Sequence, residues 1–374
     1  MELLHVGHVP FRPESGTPYH LSVALAKHIE VTYINPPLSF AQWMRLRYQP
    51  PLQKDSVRVI STVLPGALRF LPRRWRRKPL QALMLSLSLC RLRDVHRKRV
   101  ILWVSNSELA LWLHQRLRPT LTCYHRLDDF GAMDPSLESL EHELEQIADL
   151  IFVVSPTLQE QHRLRGRDAI LLPNAVNLEF FAKSVDQATP VPSDLRAIPA
   201  PRIGFIGWIT PRWIDIELLL EVASRRPDWS LVLIGPKVSW HPNHIPRNCY
   251  LLGVRPYRQL PAYLKGLDVC LVPFKDNAIT QGASPLKLYE YLAAGRAVVS
   301  TNVPGLDEFE GIVWRAGDVE SFIVAIEDAL PLAHDAVAQR RRVEAVSPHS
   351  WDARAQTVMA YIRNALGSAS ISVS

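Results

Sequence analysis

Two spacings alternate along this chain. Short runs of apolar and β-branched residues are followed by stretches in which apolar residues recur every three or four positions. The runs at Glu2–Val6, Val31–Asn35, Val57–Ile60, Val100–Val104, Leu121–Tyr124, Leu150–Val154 and Ala169–Leu172 predict strands. Helical spacing covers Thr17–His28, Pro79–Arg93, Ser107–Leu117, Ser136–Ile147 and Pro156–Leu164. Strands alternating with helices in this way predict a mostly parallel sheet covered on both faces.

The pattern lapses and then restarts. Residues 183–201, KSVDQATPVPSDLRAIPAP, are polar, Pro-rich and without period, which suggests a linker. Strands are then expected at Arg202–Ile206, Ser230–Ile234, Tyr250–Leu252, Val269–Val272, Ala297–Ser300 and Ile312–Trp314. Helices are expected at Asp215–Arg225, Gln259–Gly266, Pro285–Ala294, Val319–Leu330 and Ala333–Val346. A last helix, about Trp351–Leu366, precedes a frayed tail. The expected organisation is an N-terminal Rossmann-like domain over 1–178, a linker over 179–200 and a second Rossmann-like domain over 201–350. The helix and tail of 351–374 are expected to pack back on the first domain. Two doubly wound α/β domains define a cleft, and ligands of such sheets bind at the carboxyl ends of the strands. A dehydrogenase, a binding protein or an epimerase would suit that architecture equally.

Length and composition agree with two soluble domains: 374 residues, 47% hydrophobic and 21% charged. The four cysteines, Cys90, Cys123, Cys249 and Cys270, form no CxxC pair and read as free thiols suited to a reducing cytoplasm. The opening MELLHV lacks a signal-peptide pattern, and no apolar run approaches a membrane span. Charge changes the picture more. Residues 1–174 hold 23 Lys+Arg against 16 Asp+Glu, and the remainder is balanced. Within residues 69–99 there are 11 basic residues and one acidic residue, Asp94.

The segment Ser284 to Ser300, SPLKLYEYLAAGRAVVS, carries the most chemistry. Ser284 is a candidate helix cap, with Pro285 and Leu286 opening the helix. The N–H groups of such a helix start, with the helix dipole, favour an anion. Lys287 in the first turn can neutralise a phosphate. Glu290, on the same face, can accept both hydroxyls of a ribose. Gly295 ends the helix before a buried strand. An ordinary capped amphipathic helix would share some of these features, but not the whole set.

This segment resembles the donor-binding helix of the GT-B glycosyltransferases, particularly families 4 and 1 and their teichuronic-acid and exopolysaccharide relatives. In that pattern the second glutamate of an E-x7-E pair holds the ribose, and Glu290 matches it. The first falls on Gly282, a departure that bears on the donor sugar and on the stereochemical course. Other segments of the resemblance follow in order. Pro173-Asn174-Ala175-Val176-Asn177 resembles the turn that ends the first domain. Arg202 to Gly207 resembles the first donor-side strand and its glycine turn, where Gly207 would let backbone approach a phosphate. The family often places an Arg and a Lys after that turn; here only Arg212 matches. Tyr250 to Gly253, followed by Tyr257, resembles the segment that receives the base. Asp268 to Phe274 resembles the strand before the donor loop. Gly16-Thr17-Pro18 resembles the glycine loop that reaches the donor phosphates from the first domain. His125, Asp128 and Asp129 follow a predicted strand in a region where this resemblance implies an acceptor-side base. A carboxylate or imidazole there can take a hydroxyl proton or hold the sugar, whereas loop capping by the aspartates is the plainer alternative.

The resemblance implies a metal-independent glycosyltransferase with no cofactor beyond its donor substrate, a nucleotide sugar with UDP expected as carrier. It implies a lipid-linked or glycan acceptor in cell-surface glycan synthesis. Arg69 to Lys78 mixes cations with Phe70 and Trp75, and an apolar helix is predicted to follow. That composition suits the anionic inner face of a plasma membrane, and so a cytoplasmic, peripheral enzyme. A solvated basic loop is the simpler alternative. No nucleic-acid-reading motif accompanies the patch. A nucleotide-sugar 2-epimerase on the same fold and a non-catalytic nucleotide-sugar-binding scaffold are the rival functions.

Overall fold

A computed structural model describes residues 1–36, 38–39, 52–61, 63–64, 99–242 and 244–371. The chain divides into two compact units. One comprises Met1–Val154, Gln159–Leu172 and Asp352–Ser374, the other Ser155–Leu158 and Pro173–Trp351.

The first unit is built on an eight-stranded sheet. Its strands are β1 (Glu2–Val6), β2 (Glu30–Ile34), β3 (Leu52–Lys54), β4 (Val57–Ile60), β5 (Val100–Val104), β6 (Leu121–Arg126), β7 (Leu150–Val153) and β8 (Ile170–Leu171). The order is β8-β7-β6-β5-β1-β2-β4-β3, parallel except for β3 against β4. Every residue of β1, β5 and β6 is buried, as expected of strands covered on both faces. The chain order reverses beside β1, between β2 and β5, which makes the carboxyl ends of β1 and β5 the switch point of this sheet. His5 on β1 joins the two sides of the layer: one ring nitrogen meets Ser22 Oγ at 2.6 Å and the other meets Ser105 Oγ at 3.2 Å. The closing helix, Trp351–Ile371, brings Asp352 to Lys27 at 2.7 Å and Tyr361 edge-on to Phe152.

The second unit carries six parallel strands: β9 (Arg202–Ile206), β10 (Ser230–Ile234), β11 (Cys249–Gly253), β12 (Val269–Val272), β13 (Ala297–Ser300) and β14 (Trp314–Arg315). Their order is β11-β10-β9-β12-β13-β14, so the switch point lies between β9 and β12. Two apolar clusters flank this sheet, one around Leu288, Tyr291 and Leu292, the other around Leu219, Phe322 and Ile326.

Three sequence expectations are corrected here. Residues 179–200 are not a free linker. Short helices at Leu178–Ala182 and Ser193–Arg196 bury Phe181 and Leu195, and Ile198 is buried after them, all in the core of the second unit. Their apolar residues are too sparse to show a period, yet Phe181, Leu195 and Ile198 fill the core. Strand β6 runs two residues beyond its predicted end, so His125 and Arg126 are buried strand residues. The helix expected from Pro285 begins at Leu286 with Pro285 at its cap position and no side-chain cap. The helix predicted at Pro79–Arg93, the basic patch and Cys90 lie outside the described residues. Cys123, Cys249 and Cys270 are free thiols.

At the carboxyl ends of β9, β10 and β11 three glycines follow one another across the sheet. Gly207 N–H donates to Ile234 O and Gly235 N–H donates to Gly253 O, both at 2.9 Å. Gly235 has φ +142°, and a Cβ there would lie 1.8 Å from the Gly207 carbonyl oxygen. Close backbone approach is therefore possible only without a side chain. Gly235→Ala is expected to destabilise the protein by at least ~1–3 kcal/mol, the cost of a strained non-glycine backbone plus the clash. Urea unfolding measures this, and an unchanged midpoint would refute the close approach.

Candidate functional site

The helix Leu286–Ala293 is held in place by Tyr291. Its hydroxyl accepts Ile206 N–H at 2.8 Å and donates to Ile206 O at 3.2 Å. Ile206 ends β9 immediately before Gly207, so the clasp ties the helix to the switch point. Lys287 Nζ pairs with Glu290 Oε2 at 2.7 Å, with the Glu290 side chain 4% exposed and that of Lys287 23%. Gly295, at φ +69°, ends the helix as expected.

Ser284 does not cap this helix. Its Oγ accepts Asn174 N–H at 3.1 Å, and its carbonyl accepts Asn174 Nδ2 at 2.6 Å. The Pro173–Asn177 turn thus buttresses the start of the helix, and no side-chain cap takes up the N–H groups of the first turn. Gly282 is buried, and its carbonyl accepts Ser155 Oγ at 2.9 Å. Its position in the E-x7-E pattern is a packed backbone segment without a side chain.

Arg212 is exposed on the loop after Gly207. That loop is zipped to the segment after β12: Lys275 N–H donates to Trp213 O at 2.9 Å, Asp215 N–H to Pro273 O at 2.7 Å, and Asn277 Nδ2 to Arg212 O at 3.2 Å. Lys275 is thereby placed beside Arg212, at the switch point of the sheet. No ion pair of Lys275 occurs among the described residues. Sequence reasoning missed it because the two loops are some 60 positions apart; its signal was a cation just past a buried strand. Gly253 is exposed at the end of β11. Tyr257 stacks on Phe180 with ring centroids 4.7 Å apart and planes 6° apart, so one ring face is already covered.

In the first unit Gly16, at φ +67° and ψ −134°, opens the helix Thr17–Leu25, and its carbonyl accepts Tyr19 N–H and His20 N–H at 3.1 Å. Thr17 is buried. At the end of β6 the three acceptor-side candidates separate. Asp129 caps the short helix Phe130–Met133 through Ala132 N–H at 3.0 Å, accepts Gln161 Nε2 at 3.0 Å and lies 3.3 Å from Arg126 Nη2. Arg126, fully buried, donates from Nε to Glu141 at 2.8 Å and from Nη1 to Gln161 at 2.9 Å. Asp129 is therefore committed to structure. Asp128 is partly buried, and no hydrogen bond to its carboxylate occurs among the described residues. Burial, with the Asp129 and Glu141 carboxylates nearby, raises its pKa to about 7. Burial and the neighbouring His8 lower the His125 pKa to about 3, so that its ring is neutral. The Asp128 ionisation, unlike that of His125, suits proton transfer near neutrality. No group of His, Cys, Asp or Glu able to hold a metal ion occurs among the described residues. None of the described helices is long and apolar enough to cross a membrane.

Residues 200–331 match the model of the family Glycosyl transferases group 1. TuaH of Bacillus subtilis, a proposed teichuronic acid biosynthesis glycosyltransferase, is 29% identical over 238 residues. That similarity spans 60% of this chain and 59% of the relative's length. Sucrose-phosphate synthase from Thermosynechococcus elongatus superposes with a TM-score of 0.71 at 18% identity, over 98% of this chain and 100% of that one. Anabaena HepE, solved in complex with UDP and glucose, gives 0.67 at 13% identity, over 97% and 100%. An E. coli trehalose-6-phosphate protein bound with UDP-2-fluoro glucose gives 0.67 at 13% identity, over 98% and 99%. At these identities the likeness is one of fold, and the two parallel-sheet α/β units of this chain are those of the GT-B class.

The Asp128 ionisation has a sign that can be checked. A carboxyl whose pKa is raised on folding binds its proton more tightly in the native state, so stability falls as pH rises from about 4 through about 7. Asp128→Asn removes that loss. The variant is expected to be more stable than the wild type at pH 8, with the advantage vanishing toward pH 4. Urea midpoints across this range decide it; an advantage that grows toward low pH would contradict the assignment.

Proposed function

We propose that this protein transfers a sugar from a nucleoside-diphosphate sugar, with UDP as carrier, to a hydroxyl of a lipid-linked or glycan acceptor in cell-surface glycan synthesis. The observation that carries the reading is the Lys287–Glu290 pair on an uncapped helix clasped to the β9 end, within the segment matched by the glycosyltransferase family. The UDP and UDP-sugar complexes of HepE and the E. coli protein support a uridine carrier. The name of TuaH supports a cell-surface glycan.

In this reading Glu290 accepts the ribose hydroxyls. Lys287, Arg212 and the N–H groups of the helix start stabilise the diphosphate as its C–O bond to the sugar breaks and negative charge grows on it. Lys275 adds a second cation on the loop beside Arg212. Gly207 and its glycine neighbours let the backbone come close to the phosphates, and the segment of Gly253 and Tyr257 receives the base. Asp128 takes the acceptor hydroxyl proton while the acceptor oxygen bonds to the anomeric carbon. The deprotonated form of Asp128 is the active one, so kcat/KM is expected to rise with pH through about 7. The protein works at the inner face of the plasma membrane in this reading, held there by the basic stretch 69–93.

Glu290→Ala is expected to weaken UDP binding by ~1.5–3 kcal/mol, as loss of a charged hydrogen bond does, with the fold intact. Calorimetric titration with UDP tests it, and unchanged affinity would sink the ribose assignment. For the basic stretch, vesicle sedimentation is the test. Binding to anionic vesicles at low salt, absent with neutral ones and released by salt, is expected. Replacing Arg73, Arg74, Arg76 and Arg77 with Ser should abolish it. Equal sedimentation with both kinds of vesicle would leave a solvated basic loop.

A further inference from the structure

At the carboxyl ends of β1, β5 and β6, by the switch point of the first sheet, three buried polar atoms have no hydrogen-bond partner among the described residues: His8 Nδ1, Asn106 Oδ1 and His125 Nε2. Such atoms are rare in native interiors, because each lost hydrogen bond is costly. Strands β1 and β5 run in register with Val6 beside Val104, which carries His8 and Asn106 to the same level just beyond the sheet. His125 is the next-to-last residue of β6, which neighbours β5. Three separate strands thus deliver unsatisfied groups to one end of one layer, next to the turn that bears Asp128.

We propose that His8, Asn106 and His125 bind the hydroxyls of an uncharged sugar ring and present one of them to Asp128. The inference rests on the glycosyltransferase reading and deepens it by naming the chemical class of the acceptor group. Charge selects this ligand. Burial holds His8 and His125 in the neutral form, with pKa values lowered to about 4 and about 3. A neutral imidazole offers one donor and one acceptor, and Asn106 Oδ1 is an acceptor. Hydroxyls, which both donate and accept, satisfy this set. A phosphate or carboxylate needs donors or cations instead. The one guanidinium at the end of β6, Arg126, is already engaged by Glu141, Asp129 and Gln161. What remains beside it is the Asp128 carboxylate, which repels an anion.

The test uses the full chain and the UDP-hexose, among UDP-glucose, UDP-galactose and UDP-N-acetylglucosamine, that binds most tightly. UDP release is measured with methyl β-D-glucopyranoside and methyl β-D-galactopyranoside as neutral probes, and with glucuronic acid and glucose 6-phosphate as charged ones. A neutral glycoside is expected to stimulate release, and the charged sugars are not. Asn106→Leu and His8→Ala are each expected to reduce that stimulation about tenfold or more while UDP affinity stays unchanged, and the urea midpoint of Asn106→Leu stays level or rises, since an apolar group of similar size replaces an unsatisfied one. Stimulation by the charged sugars, none by either neutral glycoside, or full stimulation retained in both variants would overturn the proposal. So would a lowered urea midpoint with UDP release unaltered, the mark of a purely structural role. Failure of the wild type to bind UDP or any UDP-hexose would count instead against the donor reading.

Discussion

The hydroxyl of Tyr291 makes two hydrogen bonds to the backbone of a single residue, Ile206, and the donor-side candidates depend on them. Ile206 is where the central strand of the second sheet ends, and the Gly207 turn begins one residue later. A helix fixed there presents Lys287 and Glu290 to the strand ends and not to another part of the sheet. The buried phenol needs both partners, since an unpaired hydroxyl in the core would cost as much as a lost hydrogen bond. The nearly buried Glu290 is costly in the same way. Its pairing with Lys287 offsets part of that desolvation.

The first unit solves a similar problem with Arg126. A guanidinium buried to this degree is stable only when its donors are met, and Glu141, Asp129 and Gln161 meet them. That network explains why two adjacent aspartates have different properties. Asp129 is drawn inward as partner to Arg126 and as a helix cap. Asp128 has no cation of its own among the described residues, and burial with the Asp129 and Glu141 carboxylates nearby raises its pKa. The structural alternative, in which both aspartates are loop caps, holds for one and fails for the other.

Local pattern had marked much of this. Strands Glu2–Val6, Val100–Val104, Arg202–Ile206 and Ser230–Ile234 stand where their apolar runs predict, because a strand buried on both faces writes its limits directly into composition. Gly295, Lys287 and Glu290 were legible because helix spacing fixes which residues share a face. The segment 179–200 was misread for the converse reason: Phe181 and Leu195 are core residues in short helices among polar neighbours. The strand end at Arg126 was hidden because a charged residue in a buried strand is unreadable until its partner fifteen positions away is known.

The sequence by itself determined the succession of strands and helices, the second-unit helix that bears Lys287 and Glu290, and the glycosyltransferase resemblance, since all three are properties of neighbours along the chain. Only the tertiary structure decided that Ser284 serves the Asn174 turn, that Lys275 stands beside Arg212, that Gly235 must lack a side chain under the Gly207 carbonyl, and that Asp128 and not Asp129 is left uncommitted. Each of these depends on a contact between residues from different segments. Hydrogen bonding and desolvation act through space, and a single sequence does not record which distant group arrives.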